Sequence, residues 1–248
     1  MFDTAERESG GEGATALSRS AGGALTVAAI RDAVDALAAA TGPHGVGRDV
    51  DAERIDLIRA LEDLKNGAAA LQAVVTPAFD PSQQAQQRAA GEPNERLGRG
   101  VAAQVALARR VSPHRGQQHL SLARILHREL PCTLAAWRTG RITERAATLM
   151  ARGTTCLTQE DRLRVDEQVA ADLDAVERLG ERGVQSEVAK RAARLDPAAV
   201  VESRRRAEAE RCVTLRPAPD TMTYLTALLP VAQGVAVFAA LTRAADNA

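Results

Sequence analysis

Leu57, Leu61, Leu64, Ala68, Leu71 and Val75 recur at alternating steps of four and three, a spacing that places them along one side of a helix. A strand, with its period of two, would scatter the same residues over both faces. The stripe predicts a long helix beginning near Val50 and requires that its apolar seam be covered. Two coverings satisfy it: the helix packs inside its own domain, or it meets a second copy in a coiled-coil-like homodimer, for which about three heptads is the lower limit.

The rest of the chain has the same character. Aromatic residues make up only 2% of it and hydrophobic residues 45%, enough for a core but poor in the side chains that build β-sandwiches. Leu25–Ala40 has helical spacing and stops at Thr41-Gly42-Pro43-His44-Gly45. Pro77, Pro81, Gly91, Pro93, Gly98 and Gly100 predict that the following segment breaks into a short Gln-rich helix and loops. Helical pattern resumes at Val101. Ser112-Pro113 reads as an N-cap with Pro in the first helical position, Thr143 as a second N-cap after Gly140, and Thr158-Gln159-Glu160-Asp161 as a capping-box-like start. The helix opened by Thr158 is expected to turn Leu163, Val169, Leu173 and Val176 inward. Further helices are expected over Val184–Leu195 and Pro197–Glu210. Cys212–Leu215 and Met222–Leu225 flank the turn-rich Arg216–Asp220 and predict one hairpin, followed by a last helix after Pro230 with Val235, Phe238 and Leu241.

The fold class expected is therefore mainly α: a multi-helix bundle with one C-terminal β-hairpin followed by a helix. Residues 1–24 are polar and Gly/Ser-rich, read as a disordered tail, and 25–248 as the helical domain, with a division into subdomains near 153–157 left open. No apolar stretch reaches the roughly 20 residues that span a bilayer. Cys132, Cys156 and Cys212 form no C-x-x-C pair, which fits a soluble, cytoplasmic protein without a disulfide framework.

Several strings together resemble one family: Arg54-Ile55-Asp56-Leu57-Ile58-Arg59-Ala60-Leu61-Glu62, Gly98-Arg99-Gly100-Val101-Ala102-Ala103-Gln104-Val105-Ala106-Leu107-Ala108-Arg109-Arg110, Leu130-Pro131 with Gly140-Arg141-Ile142-Thr143, and Val213-Thr214-Leu215-Arg216-Pro217-Ala218-Pro219-Asp220. They resemble the domain of unknown function DUF222, the N-terminal region of the 13E12-repeat and HNH-endonuclease-like proteins of GC-rich bacteria, from about Val50 to Asp246. The resemblance implies that nuclease chemistry belongs to a separate, downstream HNH module. That module needs a His general base, a second His or Asn at the metal, and usually flanking Cys pairs in a ββα unit. The hairpin of this chain contains no His, so the expectation is a non-catalytic chain, and three origins stay open: a truncated gene, a split partner of an HNH nuclease module in another chain, or a free-standing accessory domain.

The residues agree with that expectation. His44, His114, His119 and His127 are the only histidines; His119 and His127 lie eight apart rather than three or four, and no pair of carboxylates completes a shell, so no metal or other cofactor is expected. Lys65 and Lys190 are the only lysines. GC-rich coding accounts for that arginine bias, and so does phosphate recognition, for which the planar guanidinium is suited. The net charge is zero, so any anion-binding surface must be a local patch.

Val105–Leu120 has the layout of a helix-turn-helix, whose second helix can enter a DNA major groove. On that second helix Arg115, Gln117, Ser121, Arg124 and Arg128 lie close together and are the candidate DNA contacts, with Gln suited to adenine and Arg to guanine or phosphate. Two features depart from the pattern: Gly116 stands where such motifs bury a branched residue, and Arg110 replaces the usual turn glycine. The competing class is a protein-interaction or oligomerisation module resting on Leu57, Leu61, Leu64, Leu71 and Val75. Arg204-Arg205-Arg206 point about 100° apart around a helix and are diluted by Glu202, Glu208 and Glu210, which reads as a solvated surface.

Overall fold

A computed structural model describes residues 25–40 and 51–247; the expected tail, the Thr41–Gly45 cluster and His44 lie outside the described residues. The chain divides into two compact units at Ile58/Arg59. In the first, α1 (Val27–Ala40) opens at Thr26, whose hydroxyl accepts the Ala29 N–H at 3.2 Å, and it exposes Val27, Ile30, Val34 and Leu37.

The second unit is a helical bundle. It takes in α2 (Asp51–Ala89) from Arg59 onward, then α3 (Val101–Ala108), α4 (Pro113–Glu129), α5 (Pro131–Arg138), α6 (Glu144–Gly153), α7 (Gln159–Ala170), α8 (Leu173–Leu195) and α9 (Pro197–Ala209). An antiparallel hairpin follows, β1 (Cys212–Pro217) with β2 (Thr223–Leu228), in a register that opposes Leu215 to Leu225, and then α10 (Val231–Asp246). Among the described residues the molecule is thus mainly helical with one two-stranded sheet near the C-terminus. No helix among them is long and apolar enough to cross a membrane.

The core gathers Leu126 of α4, Leu130 at the junction of α4 and α5, Trp137 of α5, Met150 of α6, Val165 of α7 and Val188 of α8. It continues across residues 153–157 without a division, because α6 and α8 pack directly on each other. Local caps start the helices where the sequence says they should. Ser112, Thr143, Thr158 and Asp196 each accept the N–H three residues on, at 3.3, 3.1, 3.2 and 2.8 Å. Gly180, at φ +60°, breaks α8 within its first half.

Three expectations are corrected. Pro77 and Pro81 do not end α2, which runs through both. Each removes one N–H from the ladder, but Asp80 between them is buried and tied to Arg124 of α4 by a 2.9 Å bond from Nε, so tertiary contacts offset the local loss. Leu163 is exposed while Val169 and Val176 are buried, because six residues turn a helix through about 600° and place Leu163 and Val169 on different sides; the inward face of α7 is Val165, Asp166 and Val169.

The third correction concerns the leucine seam. Leu57, Leu61, Leu64, Leu71 and Val75 are all exposed, Leu64 at 51% and Val75 at 61%, so the seam is not internal. The face of α2 that packs inward is Asn66, Ala70, Ala73 and Asp80. Asn66 Nδ2 donates to the Gly140 carbonyl at 3.1 Å, and Gly140 sits so close that a Cβ there would lie 2.2 Å from the Asp63 carbonyl oxygen. Small residues let α2 approach by its backbone, and polar contacts fix it, leaving its large apolar residues on the outside. Neither strand of the hairpin nor α10 buries a residue, and Val235, Phe238 and Leu241 are exposed.

Candidate functional site

The end of α3 is closed by two hydrogen bonds, Val111 N–H to Ala106 O at 2.9 Å and Arg110 N–H to Leu107 O at 3.1 Å, the Schellman pattern that requires a left-handed residue. Arg110 supplies it at φ +54°. It therefore adopts the conformation that a turn glycine takes freely, at a cost of about 1 kcal/mol. Ser112 and Pro113 then start α4 at once. Gly116 is buried one turn into α4, where a Cβ would lie 2.5 Å from both the Ala102 carbonyl oxygen and the Ala106 Cβ. The two departures from the helix-turn-helix pattern thus have structural reasons: Arg110 takes the glycine's backbone shape, and Gly116 lets α3 and α4 touch backbone to backbone.

Beside this unit α4 and α6 enclose a cleft of about 850 Å³. Its charged lining is four arginines, Arg109, Arg115, Arg145 and Arg152, against the single carboxylate Glu144, with His119 between them. Glu144 Oε2 accepts from Arg109 at 3.2 Å, and Oε1 faces His119 Nδ1 at 3.2 Å. This partly buried triad ties α6 to the α3–α4 turn. Burial, helped by the Arg109 and Arg115 charges, pushes the His119 imidazolium below its ordinary value, while Glu144 pulls it back up. Arg115, Arg145 and Arg152 are exposed and have no carboxylate partner among the described residues.

Of the residues singled out from sequence, Arg115, Gln117 and Ser121 line this cleft, Gln117 donating to Ser121 Oγ at 3.4 Å. Arg124 does not join them, since its guanidinium is committed to Asp80 of α2. Arg128 is exposed in the last turn of α4, away from the cleft lining. The reading missed Arg145, Thr148, Arg152 and Thr155, which step by three, four and three and form a polar stripe. That stripe is legible in the sequence, but its placement opposite α4 is not. Among the described residues no group of His, Cys, Asp and Glu is arranged to hold a metal ion.

The family model described as Domain of unknown function (DUF222) matches residues 58–248. The chain belongs to this family. The matched span begins at the unit boundary and takes in all of the bundle, the cleft, the hairpin and α10, so the site described above is a feature of the DUF222 region. No curated protein and no solved structure matches the chain.

Proposed function

We propose that this DUF222 chain is a non-catalytic, DNA-contacting domain of an HNH-endonuclease-like system, the nuclease module being carried elsewhere. The observation that supports it best is the α3–turn–α4 unit. Its tight turn at Arg110–Ser112 presents the start of α4, and Arg115, Gln117 and Arg128 are exposed along that helix. Guanidinium groups beside an exposed amide suit a surface on which arginines take phosphates and Gln reads a base edge. The association with HNH nucleases rests on the resemblance of the sequence strings alone.

Salt dependence tests it. Binding to random duplex should weaken linearly with log salt, and Arg115→Gln with Arg128→Gln should lower affinity and reduce the slope by about one unit per lost phosphate contact. Gln117→Ala should alter sequence preference with little change in slope. Arg204→Ala with Arg205→Ala is the control and should change binding much less. If the control abolishes binding while the α4 variant binds normally and remains folded by circular dichroism, the assignment of α4 is wrong.

A second reading, self-association, is favoured by one observation: the seam of Leu61, Leu64, Leu71 and Val75 is open to solvent although its spacing suits a partner helix. The chain is expected to sediment as a dimer at tens of micromolar, and Leu64→Glu to return it to monomer by burying a charge in the seam. A wild-type chain that is monomeric at that concentration rules the dimer out.

A further inference from the structure

Several arginines elsewhere in the bundle are matched to carboxylates: Arg124 to Asp80, Arg141 to Asp174 and Glu177, Arg162 to Glu129, Arg164 to Glu160. The α4/α6 cleft is different. Arg115 from α4 and Arg145 and Arg152 from α6 open on one concavity, and its only carboxylate is already engaged by Arg109 and His119. Like charges facing one cleft repel each other, and a bound anion converts that repulsion into attraction. Guanidinium groups match phosphate oxygens through paired N–H donors, and the Gln118 amide adds a neutral one. Next to the cleft, between α2 and α3, lies an apolar groove of about 470 Å³ lined by Val75, Phe79, Val105 and Ala108. Gln72 and Arg109 border both.

From this juxtaposition we infer that the α4/α6 cleft is a phosphate site for a nucleotide unit, with Arg115, Arg145 and Arg152 on the phosphate and the neighbouring groove taking the base against Phe79. The inference deepens the DNA-contact reading but does not depend on duplex binding. The cleft is far larger than a phosphate ion needs and falls within the range of small-molecule sites, which fits a phosphate carried by a larger group. Phe79 gives the groove an aromatic face on which a base of any identity can stack.

The full chain is titrated calorimetrically with inorganic phosphate, with a 5′-phosphorylated trinucleotide and with its 5′-hydroxyl counterpart; duplex binding is measured in parallel. Saturable one-to-one binding is expected, tightest for the 5′-phosphorylated strand. Arg145→Gln with Arg152→Gln, two exposed positions outside the α4 face assigned to duplex, should weaken phosphate and trinucleotide at least about tenfold. Phe79→Ala should weaken both trinucleotides and leave inorganic phosphate unchanged, which also reports an intact cleft. Equal binding of the 5′-phosphorylated and 5′-hydroxyl strands assigns the cleft to backbone phosphates rather than strand ends and supports the site. Phosphate binding without duplex binding supports the cleft and removes the DNA reading. Duplex binding with no saturable phosphate or trinucleotide binding, or an Arg145/Arg152 variant that binds both as the wild type does, overturns the inference.

Discussion

Replacing Asp166 with Ala should cost the domain about 3–5 kcal/mol, the penalty for leaving several buried polar groups without their charged partner. Asp166 lies on α7 and is fully buried. Its carboxylate accepts the Cys132 N–H at 2.6 Å, the Thr133 N–H at 3.0 Å and the Thr133 hydroxyl at 2.5 Å. These are the orphan donors of the first turn of α5, where Leu130 in the cap position has no side chain to offer and Pro131 carries no N–H. A residue 33 positions away thus performs the cap that Ser112 and Thr143 perform locally for their own helices. Burial pushes the Asp166 carboxyl above its ordinary value, and the bonds from Thr133 and Cys132 pull it back. Asp166→Asn retains one acceptor oxygen and should cost less than Ala. Thermal unfolding followed by circular dichroism should place the Ala variant about 10 °C below wild type for a unit of this size. A loss under about 1 kcal/mol would mean that water replaces the carboxylate and that α5 needs no cap.

This contact marks where the sequence stops being informative. Helix starts were legible because their chemistry is complete within three residues: Ser112, Thr143 and Thr158 each sit beside the N–H they accept. The hairpin was legible for the same reason, two β-rich runs about a turn-rich loop. The cap supplied by Asp166 links residues far apart in sequence, and no local pattern announces it. Pro77 and Pro81 misled for a related reason, since the contact that carries α2 past them comes from Arg124, 44 residues later. That same ion pair removes Arg124 from the candidate DNA face. Periodicity also assumed that the largest apolar residues of α2 face inward, whereas the inward face is Asn66, Ala70 and Ala73, small enough for backbone approach. At the candidate site the α4 half was readable in the sequence, Gln117 and Ser121 four apart on one side of the helix with Arg115 close by; the α6 half, Arg145 and Arg152, became part of the site only when the fold set the two helices side by side.

Gly116→Leu supplies the side chain that a helix-turn-helix ordinarily buries at this position, and it should be among the most damaging single changes in the bundle. The first atom of the new side chain would lie 2.5 Å from the Ala102 carbonyl oxygen and 2.5 Å from the Ala106 Cβ, and one of those neighbours is backbone that no rotamer change can move. α3 and α4 must then separate, which opens the packing around Val105 and Leu120, both buried. Overpacking of this kind costs about 1–3 kcal/mol when side chains can yield and more when the backbone must shift, so about 3 kcal/mol or more is expected here. The turn would move with the helices. Arg109 would leave Glu144, and the cleft would lose the ion pair at its floor, so DNA and phosphate binding should both fall although no residue proposed to touch either ligand has changed. Ala106→Gly removes one of the two clashing groups and should restore part of the stability when combined with Gly116→Leu, while destabilising the wild-type helix slightly; a non-additive double-mutant cycle is the signature of direct contact. Urea unfolding of the four proteins decides it. If Gly116→Leu unfolds with the wild-type midpoint, α3 and α4 do not meet at Gly116, and the helix-turn-helix-like geometry on which the DNA reading stands must be given up.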